Sequence, residues 1–153
     1  MKNLLIILSI FLFSFTVISC AKKSSDDSKT TTSTSSGLFV AVGDNGTILT
    51  SSDGSTWTSR TSGTSNKLFG ITYANSTFVA VGRSGTILTS SDATTWTSKT
   101  SGTSNKLRGV TYGNSTFVAV GVSGTILTSS DGTTWTSRTS GTTQHLRRVA
   151  YKE

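Results

Sequence analysis

The chain of 153 residues has no proline, one cysteine, one histidine and a single glutamate, Glu153. One cysteine excludes a disulfide scaffold, and one cysteine with one histidine excludes a zinc cluster, so no metal and no cofactor is expected. Only 33% of residues are hydrophobic and 8% aromatic, too thin a supply for an average helical globule. The one long apolar run stands at the amino terminus, which excludes a polytopic membrane protein. Acid is scarce too, with 7 Asp and Glu against 14 Lys and Arg. What is plentiful is Ser and Thr, 58 residues together, with 15 Gly. That composition leaves a disordered Ser/Thr chain or a β-rich repeat, in one small domain with an appendage.

Met1-Lys2-Asn3 opens the chain with a positive charge, and Leu4 to Ile18 is a nearly unbroken apolar run of 15 residues. This length suits the apolar region of a signal peptide better than a membrane span, which needs about 20 residues. The run ends Val17-Ile18-Ser19-Cys20, which resembles a bacterial lipobox. The resemblance implies that residues 1–19 are a lipoprotein signal peptide and that Cys20 is lipidated as the mature amino terminus. Acyl chains contribute about 0.8 kcal/mol per buried CH₂, so a lipidated Cys20 would anchor the protein to a membrane without spanning it. Residues 20–36 hold nothing larger than Ala and Cys to bury and read as a flexible tether rich in Ser, Thr and Lys. Ala21 rather than Asp follows Cys20. By resemblance to enteric lipoprotein sorting this disfavours inner-membrane retention, so the expected location is the cell envelope, at the outer membrane or cell surface.

Residues 37–153 say one sentence three times. Trp57, Trp96 and Trp135 recur every 39 residues, and the same step carries Gly43 to Gly82 to Gly121 and Asp53 to Asp92 to Asp131. A period near 40 points to solenoids, propellers or arrays. No segment has the i, i+3, i+4 apolar spacing of a helix, so helical repeats are excluded. The middle unit shows four β-type runs, Leu68 to Tyr73, Phe78 to Gly82, Thr86 to Ser90 and Trp96 to Thr100, joined by connections short enough for antiparallel hairpins. A longer link, Ser101 to Lys106, leads to the next unit. Four antiparallel strands per repeat is the arithmetic of a β-propeller blade. The expected fold class is all-β, a propeller-like repeat of three four-stranded blades.

The segments SSDGSTW at 51–57, SSDATTW at 90–96 and SSDGTTW at 129–135, each preceded by GTILT, resemble the Asp-box (BNR-like) repeats of sialidase-type propellers. They resemble still more the propellers of the photosystem II stability and assembly factor type. Asp-to-Trp spans four residues here against five in the usual box, so the turn is one residue shorter. Physically the box is a turn: Asp accepts backbone N–H bonds, Gly takes positive φ, and Trp packs in the sheet layer. Asp53, Asp92 and Asp131 with Trp57, Trp96 and Trp135 are therefore expected to be structural rather than metal-binding or catalytic.

The repeat begins at a second strand, Phe39 to Gly43, and ends at a first strand, Leu146 to Tyr151. That phase lets terminal strands pair within one blade. Three blades cannot ring an axis, since propellers have about four or more, and an open fan would expose Val/Ile/Thr-rich edges. A homodimer whose half-rings form six blades is the economical solution. A compact monomer and a higher assembly remain open.

Positions that differ between near-identical units are the ones the fold does not dictate. They fall before the first strand, at Lys67-Leu68-Phe69, Lys106-Leu107-Arg108 and His145-Leu146-Arg147-Arg148, and in the next turn, at Asp44-Asn45, Arg83-Ser84 and Val122-Ser123. Hairpin logic puts both sets on one face of the ring, which carries Lys67, Arg83, Lys106, Arg108, Arg147 and Arg148. The expected role is a surface for an anionic glycan or an acidic protein patch, or else a solvated rim. Nucleic acid is not expected, because no aromatic stacking row accompanies the charges. His145 reads as a surface residue, and the recurring Tyr73, Tyr112 and Tyr151 as core. Paired carboxylates or a nucleophile with an acid and a placed base are wanting, so no enzyme is expected. The function that follows is a membrane-anchored lipoprotein acting as a non-catalytic binding or assembly scaffold. The alternatives are a degenerate, sialidase-like glycan-processing propeller and a structural surface protein without a small ligand.

Overall fold

Runs of Val, Ile, Thr and Phe broken by Asn-Ser and Gly leave room only for short strands, and the computed structural model forms them. It describes residues 37–153; the expected signal peptide, Cys20 and the expected tether fall on residues 1–36, outside the described residues. The strands are β1 (Phe39–Val42), β2 (Ile48–Ser51), β3 (Thr58–Arg60), β4 (Leu68–Ala74), β5 (Thr77–Gly82), β6 (Ile87–Ser90), β7 (Thr97–Lys99), β8 (Leu107–Gly113), β9 (Thr116–Gly121), β10 (Ile126–Ser129) and β11 (Thr136–Arg138). They make three antiparallel sheets in simple meander order, β1-β2-β3, β4-β5-β6-β7 and β8-β9-β10-β11. The all-β repeat stands as expected, with open sheets compatible with part of a ring.

The first sheet has three strands and not four, because no strand precedes β1 among the described residues. Leu146 to Tyr151, expected as a first strand, belongs to no sheet. It has the sequence of an inner strand but pairs with no other strand among the described residues. Its place is nevertheless fixed, since Leu146 N–H donates to Gly121 O at 2.9 Å as Leu68 N–H donates to Gly43 O at 2.9 Å.

Two apolar layers hold the sheets together, and each lies between neighbouring sheets. Ile48, Leu68, Ala80 and Leu88 form one, with Val40, Val42, Ile71 and Trp96 packed against it. Val79, Val81, Ile87, Leu107, Phe117, Ala119 and Leu127 form the other, with Ala74, Val110, Tyr112 and Trp135. The middle sheet thus feeds both layers, because alternate residues of a strand face opposite ways. Its β5 residues Val79, Ala80 and Val81 are fully buried. The hairpins close on Asn75-Ser76 and Asn114-Ser115, all at φ between 45° and 54°, the two-residue geometry that matches strand twist.

A second clamp is repeated at the opposite strand ends. Gly46, Gly85 and Gly124 take φ near +68°, and a Cβ there would lie within 2 Å of the carbonyl oxygen of Thr64, Thr103 or Thr142. The link after each outer strand therefore lies directly on the turn between the second and third strands. Ser62, Ser101 and Ser140 fasten that link, their hydroxyls donating to the same carbonyls at 3.0–3.1 Å.

Candidate functional site

The three Asp turns are built from local bonds. Asp53 Oδ1 accepts from Ser55 and Thr56 N–H at 2.8 and 2.9 Å and from the Ser51 hydroxyl at 2.8 Å. Asp92 and Asp131 repeat this with Thr94, Thr95 and Ser90 and with Thr133, Thr134 and Ser129. Each Trp returns its indole N–H to the box, on Gly54, Ala93 or Gly132 O. These donors favour the ionised carboxylate. Bonds from the Thr95 and Thr94 amides and the Ser90 hydroxyl lower Asp92 to about 2. Asp53 and Asp131 are held lower still, Asp53 mainly by the Thr56 and Ser55 amides and Asp131 mainly by the Thr133 hydroxyl and the Thr134 amide. Each Oδ1 is taken up by the turn's own amides and hydroxyls, at the far end of the sheets from the variable turns.

The basic residues are placed by backbone. Arg83 N–H donates to Lys67 O at 2.8 Å, Val122 N–H donates to Lys106 O at 2.9 Å, and Ser123 N–H donates to His145 Nδ1 at 3.1 Å. The turns at Asp44, Arg83 and Val122 therefore alternate with the segments at Lys67, Lys106 and His145 on one face. Their side chains fare differently. Lys67 forms an ion pair with Asp44 and stands over the Phe69 ring. Arg83 is exposed at its turn, and Lys106 is half-buried.

Arg108, Arg147 and Arg148 converge. They line a cleft of about 420 Å³ with Phe69, Gly70 and Ile71 of β4, Gly109 and Val110 of β8, and Val149. Equivalent positions of three units meet here, so the cleft runs along the inner strands. Gly70 and Gly109 permit it: a Cβ on Gly70 would come within 3.3 Å of Arg108 O, and one on Gly109 within 3.1 Å of Arg147 O. Arg108 lies 5.7 Å from the Phe69 ring centroid, within cation–π reach. Its Nε is buried and makes no hydrogen bond.

Two features escaped the sequence. Polar clefts of about 530 and 810 Å³ repeat beside the outer strands, lined by Ser98, Lys99 and Ser84 in one unit and by Ser137, Arg138 and Ser123 in the next. The 39-residue step was the available signal for them. Tyr73 and Tyr151 are not core residues, being 57% and 49% exposed, because each lies where a neighbouring strand is absent. No group of three or more His, Cys, Asp or Glu that could hold a metal occurs among the described residues.

The fold defines an all-β protein of repeated antiparallel sheets packed side by side along their first strands. Compared with known proteins, the chain matches no family model and no curated sequence.

Proposed function

We propose that this protein is a lipid-anchored, non-catalytic binding scaffold of the cell envelope, which takes anionic groups of an acidic polysaccharide in the cleft between its inner strands. The observation that carries this reading is Arg108. A guanidinium Nε–H that is buried without an acceptor is costly, and a carboxylate or sulfate entering beside Arg147 and Arg148 would satisfy it with charge-assisted bonds. Among the described residues no carboxylate pairs with these arginines, whereas Lys67 already has Asp44. The lipobox resemblance at Cys20 and the tether supply the anchor in this reading, and the Asp-box resemblance supplies the propeller-type frame.

The test is retention of the full chain, in detergent, on beads carrying dextran sulfate. Arg108→Glu with Arg147→Glu is expected to abolish retention while the far-ultraviolet spectrum is unchanged. Retention of that variant at about 0.15 M salt, where the screening length is about 8 Å, would refute the reading.

A further inference from the structure

Among the described residues, β1 and the segment Leu146 to Tyr151 each lack a strand partner on one side. In the second sheet Tyr73 packs on Phe78 with ring centroids 4.4 Å apart, and in the third Tyr112 packs on Phe117 at 4.6 Å. One repeat further the same pair is Tyr151 with Phe39, which lie in the last and first units of the repeat and are 49% and 56% exposed. The backbone tells the same story. Among the described residues β1 has one open edge, since it pairs only with β2, and Leu146 to Tyr151 has an inner-strand sequence with no sheet.

Beside the β1 edge lies an apolar cleft of about 200 Å³, lined by Val40, Ile71, Thr72, Tyr73 and Phe78. One unit along, the corresponding place is covered by β4, whose Ala74 packs into the layer with Tyr112. What the first sheet lacks among the described residues is therefore a first strand. The chain's own terminal segment cannot supply it without leaving its position. Leu146 is bonded to Gly121 beyond β8, while β1 lies at the other end of the row, bonded through Gly43 to Leu68.

We propose that a second copy of this chain supplies that strand: residues 146–151 of each copy pair antiparallel with β1 of the other, closing a two-fold ring of six four-stranded sheets. The existing pairs set the register. Leu107 opposes Gly121, Val110 opposes Ala119, and Tyr112 opposes Phe117. Shifted by the 39-residue step, these become Leu146 opposite Gly43, Val149 opposite Ala41 and Tyr151 opposite Phe39. Backbone pairing on an open edge gives affinity, and alternate side chains give specificity. A two-fold arrangement uses both free edges twice and leaves none.

The partner also completes the basic cleft. A single chain contributes three inner segments to it, and two copies surround one axis with two sets of Arg108, Arg147 and Arg148. Arg148 marks the seam, since Gly70 and Gly109 stand at its position in β4 and β8, where a Cβ would press on the backbone of the next inner segment.

Directly opposed residues of an antiparallel pair have Cα atoms about 4.5–5.5 Å apart, within the span of a disulfide. The full chain in detergent, carrying Ala41→Cys with Val149→Cys, is expected to oxidise to a covalent dimer. Each single variant, and Val40→Cys with Val149→Cys, should give none, which also controls for Cys20. A disulfide confined to one chain, a ladder of higher species, or no link overturns the ring. Should the cysteine variant not fold, Tyr151→Glu is the second probe. Light scattering should show the unaltered chain at twice its mass and this variant at one chain mass with its β spectrum intact; a variant that stays dimeric overturns the register. A dimer not retained on dextran sulfate would sink the anion reading and leave the ring. Retention by a single-chain species would sink the ring and leave the anion reading.

Discussion

The tetrapeptide Phe-Val-Ala-Val occurs in β1, β5 and β9, with the same type of turn after it, and the three copies meet different fates. In β5 Val79, Ala80 and Val81 are fully buried, and in β9 Phe117 is fully buried. In β1 Phe39 is 56% exposed and the three residues after it are only half-buried. Strand propensity is identical, so it cannot be the cause. The middle sheet has a neighbour on both sides and the first sheet has one, plus an edge with no strand. Burial in a repeat belongs to the neighbourhood of a unit and not to its sequence.

The comparison breaks most visibly at the phenylalanines. Phe117→Ala should cost about 3–5 kcal/mol, the usual loss for a buried aromatic, whereas Phe39→Ala should stay within about 0.5 kcal/mol in the single chain. Urea denaturation of both variants at low and high protein concentration checks this, with the Phe39 cost rising as the ring forms.

The link clamp should ignore the difference between sheets. Gly46→Ala and Gly85→Ala both drive a Cβ to 1.9 Å from a Thr carbonyl oxygen at positive φ. Each should lose about 1–2 kcal/mol of left-handed strain and a further 1–3 kcal/mol of overpacking. Gly102→Ala, with φ +74° and nothing within 4 Å, should show the strain alone. Thermal melts of the three variants separate the two costs.

The Asp turns are equally local, so their response to acid should not distinguish the sheets. Their folded carboxyls lie below the ordinary 3.8, Asp92 at about 2. The stabilisation they give is complete above the unfolded value and is lost as pH falls through the folded one. Melting temperature should be level above about pH 5 and fall steadily towards about pH 2, and Asp53→Asn and Asp92→Asn should each flatten that fall by a similar amount. The smallest effect belongs to Ala93, the box residue at φ 57° where the other boxes have glycine. Its methyl is fully buried. Ala93→Gly relieves about 1 kcal/mol of left-handed strain and forfeits about 0.8 kcal/mol of burial, so its melting temperature should hardly move.

The sequence placed the middle-unit strands to within one residue at most ends, because hairpin turns and β-type runs are local signals. β7 begins at Thr97, one residue after the expected Trp96, since the indole is held back by its bond to Ala93 O. The sequence reading set six basic residues on one face; in the structure backbone bonds hold Arg83 against Lys67 and Val122 against Lys106, while Arg108, Arg147 and Arg148 line one cleft. Their division was not legible: that Lys67 is occupied by Asp44 while Arg108 buries an unpaired Nε depends on distances between units. Tyr73 was read as core because it recurs, yet recurrence fixes a register position and not the presence of the strand that would cover it.

By itself the sequence determined the period, the antiparallel strands and the Asp turns. All of these arise from contacts within a few residues or across one hairpin. Only the tertiary structure decided which copies of the same strand are buried, where the inner segments close upon an arginine-lined cleft, and which edge stays open. These depend on what lies beside each unit, and a repeated sequence holds no record of which copy stands at an end.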